Sequence, residues 1–358
     1  MVFSSIGLAA MKDRLVTPSK HYANIEKSLF LDIQLVGGRL FSVGAAGLIA
    51  FSDDNGSTWQ QALVPVSSTL TALYFPSEDI GWAVGHGGII LVSKDRGETW
   101  QIQYDGYKVV DALYLEAKGK YSEIKGRYDL ADEYEKEDLA YDLEDAEFAV
   151  SDAEYEKELG PANPFLDVWF KNDKEGYVIG AYGLFFTTID SGENWKVASH
   201  RLENMDRYHL NAIQGIGGST ILIAGEAGTL FASYDDGLEW EALYAPYQGS
   251  YFGVQALFAE GDALVYGMKG NVYRSQDAGQ SWDKVDLGIE TAITSSTRDD
   301  KGSTFLVGYS GVVFESTDKG NSFSRLRQNN YRSYLGVGNS GGQDLMLISD
   351  QGIEFALK

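Results

Sequence analysis

One short pattern, Ser/Thr-x-Asp-x-Gly-x-x-Trp/Phe, occurs six times along the chain and constrains its fold more tightly than any other feature. The copies occupy residues 52–59, 93–100, 188–195, 233–240, 275–282 and 316–323. Their third position is Asp54, Asp95, Asp190, Asp235, Asp277 and Asp318; their last is Trp59, Trp100, Trp195, Trp240, Trp282 and Phe323. Successive aspartates lie 41, 95, 45, 42 and 41 residues apart, so one interval holds an insertion. Upstream of each box a β-rich run closes on Gly-x-x-Gly: VGAAG from Val43, VGHGG from Val84, IGAYG from Ile179, AGEAG from Ala224, YGMKG from Tyr266 and VGYSG from Val307. A seventh, partial unit from Leu345, LMLISDQGIEFALK, ends the chain without a box.

Each unit reads as short strands separated by glycine or aspartate turns, four to a unit, which is the content of one propeller blade. Seven units of ~42 residues and a ~53-residue insertion account for ~347 residues, which favours seven blades over six. The expected fold is therefore all-β: one seven-bladed β-propeller of four-stranded antiparallel blades over residues 1–358. The last unit stops after its third strand. Its outer strand is expected from the N-terminal segment, about residues 12–28 and centred on 14–18, which would remove a free sheet edge. Within each box the Asp and Ser/Thr suit hydrogen bonds to turn amides, the Gly a positive φ, and the Trp packing between blades. Six equivalent carboxylates spread around a ring cannot converge on one substrate, so the boxes read as structural.

Units such as GWAVGHGGIILVSKDRGETW from Gly81, which pair Gly-x-x-Gly with the box, resemble the BNR/Asp-box propellers. Within them the chain resembles the photosystem II assembly/stability-factor-like family, over about six-sevenths of its length outside the insertion. The resemblance implies a non-catalytic, lumenal or periplasmic assembly and scaffold role on a membrane protein complex. The insertion is more similar to that of bacterial members found alongside resistance-nodulation-division exporters, which makes such an exporter another implied partner.

The insertion spans residues 107–160, between blades two and three, and is rich in Ala, Leu, Glu, Lys and Asp, without proline through residue 159. Tyr107, Tyr114, Tyr121 and Tyr128 recur at heptad spacing with Val110, Ala117 and Ile124 between them, the seam of a first helix. Leu139, Leu143, Ala146, Val150 and Ala153 form the seam of a second. An aromatic stripe, Tyr134, Tyr141, Phe148 and Tyr155, falls about 180° away from that seam. The reading is a helical hairpin with its turn between residues 126 and 133 and its exit at Gly160-Pro161. Residues 116–159 hold 16 acidic and 6 basic side chains, a net −10. Two roles stay open: a solvated helix pair covering one blade, or a partner-docking arm with exposed aromatics.

The whole chain has 29 basic and 52 acidic residues, a net charge of −23, which repels nucleic acid and anionic headgroups. It has no cysteine, which excludes disulfides and thiolate chemistry. No apolar run of about 18 residues would span a bilayer. Residues 2–11 are small and apolar but lack a basic n-region, so they read as a mature or truncated start, compatible with an extracytoplasmic location.

In a propeller the turns between second and third strands share one face with the links between blades, and that face is the default binding site. The Gly-x-x-Gly turns place His86, Tyr182, Glu226, Met268, Lys269, Tyr309 and Asp350 there; the links add Arg201, Arg207, Tyr208, Tyr244, Tyr247, Tyr251, Arg325, Arg327, Tyr331 and Arg332. Aromatics and arginines of this kind are enriched at protein interfaces. The alternative is a sialidase-like glycoside hydrolase or a carbohydrate-binding propeller. Against hydrolysis, the chain has only eleven arginines and no Arg-Ile-Pro motif near its N-terminus, and Glu226 and Asp350, a conceivable carboxylate pair, sit on blades four and seven. His21, His86, His200 and His209 lack ligand spacing, and every Gly-x-x-Gly joins two strands rather than opening a helix. Neither metal nor nucleotide cofactor is expected. No catalytic residue is assigned.

Overall fold

The computed structural model describes residues 13–326, 332–341 and 344–356. Six four-stranded antiparallel sheets and one three-stranded sheet follow one another along the chain. Their innermost strands are Phe30–Val36, Leu70–Tyr74, Phe165–Phe170, Leu210–Gly217, Tyr251–Ala256, Ile293–Arg298 and Tyr334–Asn339. Each innermost strand packs on the next, and Tyr334–Asn339 packs back on Phe30–Val36. The ring is thus closed on seven blades.

Every blade opens its inner strand with a large residue that is fully buried: Phe30, Leu70, Phe165, Leu210, Tyr251, Ile293 and Tyr334. The ladder bulges beside it, and in blades one to six its partner across the ladder is the first glycine of Gly-x-x-Gly. That glycine is extended, so conformational freedom does not explain it. Close approach does: a Cβ on Gly85 would lie 2.1 Å from the Thr69 carbonyl oxygen, and the other five first glycines meet equivalent carbonyls at 2.0–2.3 Å. The same carbonyl accepts the next residue's N–H, as in His86 to Thr69 at 2.8 Å. Blade seven carries Ser349 in that place, and the corresponding bond, Asp350 to Ser333, is the longest of the set at 3.3 Å.

The boxes fold alike. In each, the Ser or Thr hydroxyl donates to the Asp and accepts the glycine N–H, while Asp Oδ1 accepts an N–H four residues on. The residue before the glycine, such as Asn55 or Lys319, also takes positive φ. In five boxes the side chain four residues after the Asp donates to Oδ2, through Thr58, Thr99, Asn194, Ser281 or Ser322. These bonds favour the ionised carboxylate and hold Asp54 and Asp318 down to about 2. Trp240 of the blade-four box meets Phe185 of blade three edge-on at 5.4 Å, whereas Trp100 meets Phe75 of its own blade at 5.8 Å. Asp235→Ala should cost roughly 1–3 kcal/mol in thermal or urea unfolding, because the Ser233 hydroxyl and the Leu238 and Glu239 amides lose their acceptor. Its partner binding should be unchanged.

A second set of bonds stitches neighbouring inner strands. Asp32 Oδ2 accepts the Leu73 N–H at 2.9 Å, and Asp167 Oδ2 accepts that of Ile213 at 2.8 Å. Thr71, Asn211 and Thr294 donate across the seams between blades two and three, four and five, and six and seven, to the carbonyls of Phe165, Tyr251 and Tyr334. Burial raises both carboxyl pKa values, and Asp167, with Asp32 adding to it, is pushed up to about 7.

The insertion is a hairpin of two helices, α1 (Gly106–Leu130) and α2 (Glu133–Leu159), joined by Ala131 and Asp132. Asp105 caps α1 by accepting the Lys108 N–H. Asp132 and Glu135 form a capping box on α2, and Gly160 ends it at positive φ. The two seams face each other, with Ile124 and Ala146 buried, and Lys157 reaches Asp111 at 2.8 Å.

The N-terminal segment departs from expectation. Instead of running along blade seven, residues 13–19 lie over the link between blades one and two: Ser67 donates to Arg14 and Ser19 to Val64. Leu15 explains this, because it is buried with Val64, Val66 and Leu70. Only the short 3-10 turn Ile25–Lys27 reaches blade seven, where the Glu26 carbonyl lies against Gly352. Among the described residues blade seven has three strands, Tyr334–Asn339, Leu345–Ser349 and Gly352–Ala356. Residues 2–11 lie outside the described residues.

Candidate functional site

The Gly-x-x-Gly turns and the links between blades form one face, since the second glycine of a turn touches the link that follows it: Gly47 against Val66, Gly228 against Tyr247, Gly270 against Ile289. At the centre of each turn one residue sits in the left-handed region, which aims side chains outward at Tyr182 and Lys269. Tyr182 and Tyr309 are half exposed and Lys269 is exposed without an ion pair among the described residues. His86 and Asp350 are exposed beside them, and Tyr244 on the following link is more exposed still. These residues form an open rim of aromatics beside Lys269, a cation unpaired among the described residues.

Most of the arginines expected on this rim are used internally. Arg207 pairs with Asp152 at 3.0 Å and Glu156 at 3.7 Å, pinning α2 to the link between blades three and four. Arg201 donates to the Gly237 carbonyl in the blade-four box, and Arg332 pairs with Glu354. Glu226 accepts the His209 N–H, and the His209 ring in turn packs edge-on against Tyr182 at 4.8 Å. Tyr251 is fully buried, and Tyr247 meets it edge-on. The Tyr208 backbone is tied to Asn204, which accepts its N–H at 3.0 Å and donates to its carbonyl at 2.9 Å. Arg325 remains exposed, on the short outer strand Ser324–Arg325. Arg327 and Tyr331 lie outside the described residues.

The hairpin is rooted on the same face. Gly106 opens α1 directly against the blade-two turn, where a Cβ would meet the Gly87 carbonyl at 2.1 Å. Val109, Ala112 and Leu113 pack into the seam between blades two and three. The outermost polar anchors are Glu116 to His200 at 2.7 Å and Asp152 to Arg207. Beyond Glu116 the helix extends a further ~20 Å at 1.5 Å per residue. Between hairpin base and propeller lies a cavity of about 430 Å³, lined by Val109, Leu113, Leu159, Pro161 and Leu184. No cluster of metal-ligating side chains occurs among the described residues, and no described helix is long and apolar enough to cross a membrane.

The family model of the photosynthesis system II assembly factor YCF48 matches residues 149–328. The photosystem II assembly lipoprotein Ycf48 of Synechococcus sp. (strain CC9902) is 28% identical over 169 residues, 47% of this chain. The match spans 50% of that relative's length. Among solved structures, YCF48 bound to a D1 peptide superposes with a TM-score of 0.62 at 13% identity, over 96% of this chain and 99% of its own. The Niastella koreensis GH74 enzyme superposes with a TM-score of 0.60 at 14% identity, over 92% of this chain and 52% of its own. At such identities these structures bear on the fold alone.

Proposed function

The chain belongs to the photosystem II assembly factor YCF48 family, and from that membership we propose that it is a non-enzymatic scaffold which holds an exposed segment of a membrane protein complex during assembly. The family match carries this reading. The name of the Synechococcus relative, a lipoprotein, supports an extracytoplasmic location, periplasmic in a bacterium. The solved relative with a D1 peptide supports a peptide segment as the bound element. Tyr182, Lys269 and Tyr309 are the residues we assign to contact it, because they are accessible and free of internal ion pairs. The helical arm supports a second partner complex, a resistance-nodulation-division exporter, in a host without a photosystem.

Affinity capture from detergent-solubilised membranes, read by mass spectrometry, tests the proposal. The wild-type protein should recover an integral membrane complex. Joint substitution of Tyr182→Ala, Lys269→Glu and Tyr309→Ala should reduce recovery about tenfold, while Ile189→Ser with Leu238→Ser on the box side should not. Hydrolysis of aryl glycosides with no membrane protein captured would establish the glycosidase alternative instead.

A further inference from the structure

The stripe on α2 is an apolar line that the fold leaves uncovered. Tyr134, Tyr141, Phe148 and Tyr155 are 86%, 75%, 73% and 60% exposed, while the opposite face of the same helix is spent on α1. Spaced by seven, they drift only about 20° per step and form one nearly straight line, ~32 Å from first to last. A line of four rings offers an exposed apolar strip on the order of several hundred Å², in the range that marks contact with another molecule.

The charge around the strip identifies the occupant. Helix α2 carries 12 acidic and 2 basic residues. Glu137, Asp138, Glu144 and Asp145 sit one turn to either side of Tyr141, all exposed and all without a basic partner among the described residues. The chain's own cations serve other rings: Lys157 and Lys118 lie over Tyr114, and Lys136 lies over Tyr128. No cation of the described chain covers a ring of the stripe. An aromatic seam with carboxylates one turn away on either side is matched by a helix presenting apolar residues at heptad spacing with Arg or Lys alongside, which gains ring stacking, cation–π contact and charge pairing together. A second copy of this arm would bring 12 more carboxylates to the same seam, and an anionic bilayer would be repelled in the same way.

We propose that α2 is a docking arm for a cationic amphipathic helix of a partner protein, seated along Tyr134, Tyr141, Phe148 and Tyr155. This deepens the scaffold reading and rests on it only for the partner being a protein.

The test uses the full chain and three probes: a synthetic helical peptide of about 21 residues with Leu at heptad positions flanked by Arg, the same peptide with Glu in place of Arg, and anionic lipid vesicles. Wild-type protein should bind the Arg peptide, more weakly as salt rises, and neither of the other probes. Replacing all four stripe aromatics with alanine keeps charge and helix propensity, and should weaken binding about tenfold with helicity by circular dichroism unchanged. Glu144→Lys with Asp145→Lys should weaken it similarly while leaving the rings in place. Unchanged binding by the alanine variant, equal binding of the Glu peptide, vesicle binding, or stripe-dependent self-association in sedimentation would each overturn the proposal. Membrane-complex capture that survives stripe substitution but fails with the Tyr182, Lys269 and Tyr309 changes would remove the arm and leave the scaffold reading intact.

Discussion

Gly85→Ala should destabilise the propeller by roughly 2–4 kcal/mol, a large effect for one added methyl group. The methyl has nowhere to go: its carbon would stand 2.1 Å from the Thr69 carbonyl oxygen and 2.8 Å from the Leu70 Cα, backbone atoms at the entry to the innermost strand. Relief requires that strand to move away, stretching the 2.8 Å bond from His86 to Thr69. Blade seven shows how far a blade can give, because Ser349 occupies the same place with its bond opened to 3.3 Å. Gly119→Ala provides the contrast. That glycine lies in α1 with open space around it, and alanine there should stabilise the helix by about 0.5–1 kcal/mol. Urea unfolding of both variants checks the pair; equal and small effects at the two glycines would refute the close-approach account.

Asp167→Asn should lose its whole destabilising effect as the pH rises from about 4.5 to 7.5. Burial pushes the Asp167 carboxyl up to about 7, against an ordinary value near 3.9 in the unfolded chain. The folded state therefore holds a proton that the unfolded state has released across that window. Its stabilising contribution is full below about 4 and is lost as pH rises through about 7. Asparagine has one acceptor oxygen for the two N–H groups of Val168 and Ile213, so the variant starts about 1–2 kcal/mol less stable at the acid end. The gap to wild type should narrow by about 3 kcal/mol across that window, enough to close or reverse it, since the amide has no charge to bury. The box aspartates do not confuse the comparison. Their depressed values make their contribution complete above about 4, and it falls only as the pH drops further. A gap that stays constant across the window would show that Asp167 is ionised throughout.

What could be read in the sequence follows from how far apart the interacting residues lie. A box is closed by bonds within four residues, as Ser52, Asp54 and Thr58 show, so its pattern survives in the chain as a repeat. The hairpin is equally local, with Asp132 and Glu135 marking the start of α2 and Gly160 its end. The face that carries the Gly-x-x-Gly turns was legible as a place, but which of its side chains stay free was not. Arg207 looks like a free interface arginine until Asp152, 55 positions away, is folded against it, and Arg332 is taken by Glu354 in the same way. The same limit hides Asp32 and Asp167, whose partners lie on the next blade 41 and 46 residues on. The N-terminal segment was misplaced because edge closure argues only that some strand is needed, whereas Leu15 is held by a specific apolar site beside Val64 and Val66.

Site-specific photo-cross-linking in intact cells tests the central claim most directly, with the cross-linker placed at Tyr309 on the Gly-x-x-Gly face and, in parallel, at Lys319 in the blade-six box. The scaffold account predicts that Tyr309 captures an extracytoplasmic segment of an integral membrane protein and that Lys319 does not. Capture from Lys319 alone, or from neither position, would contradict it.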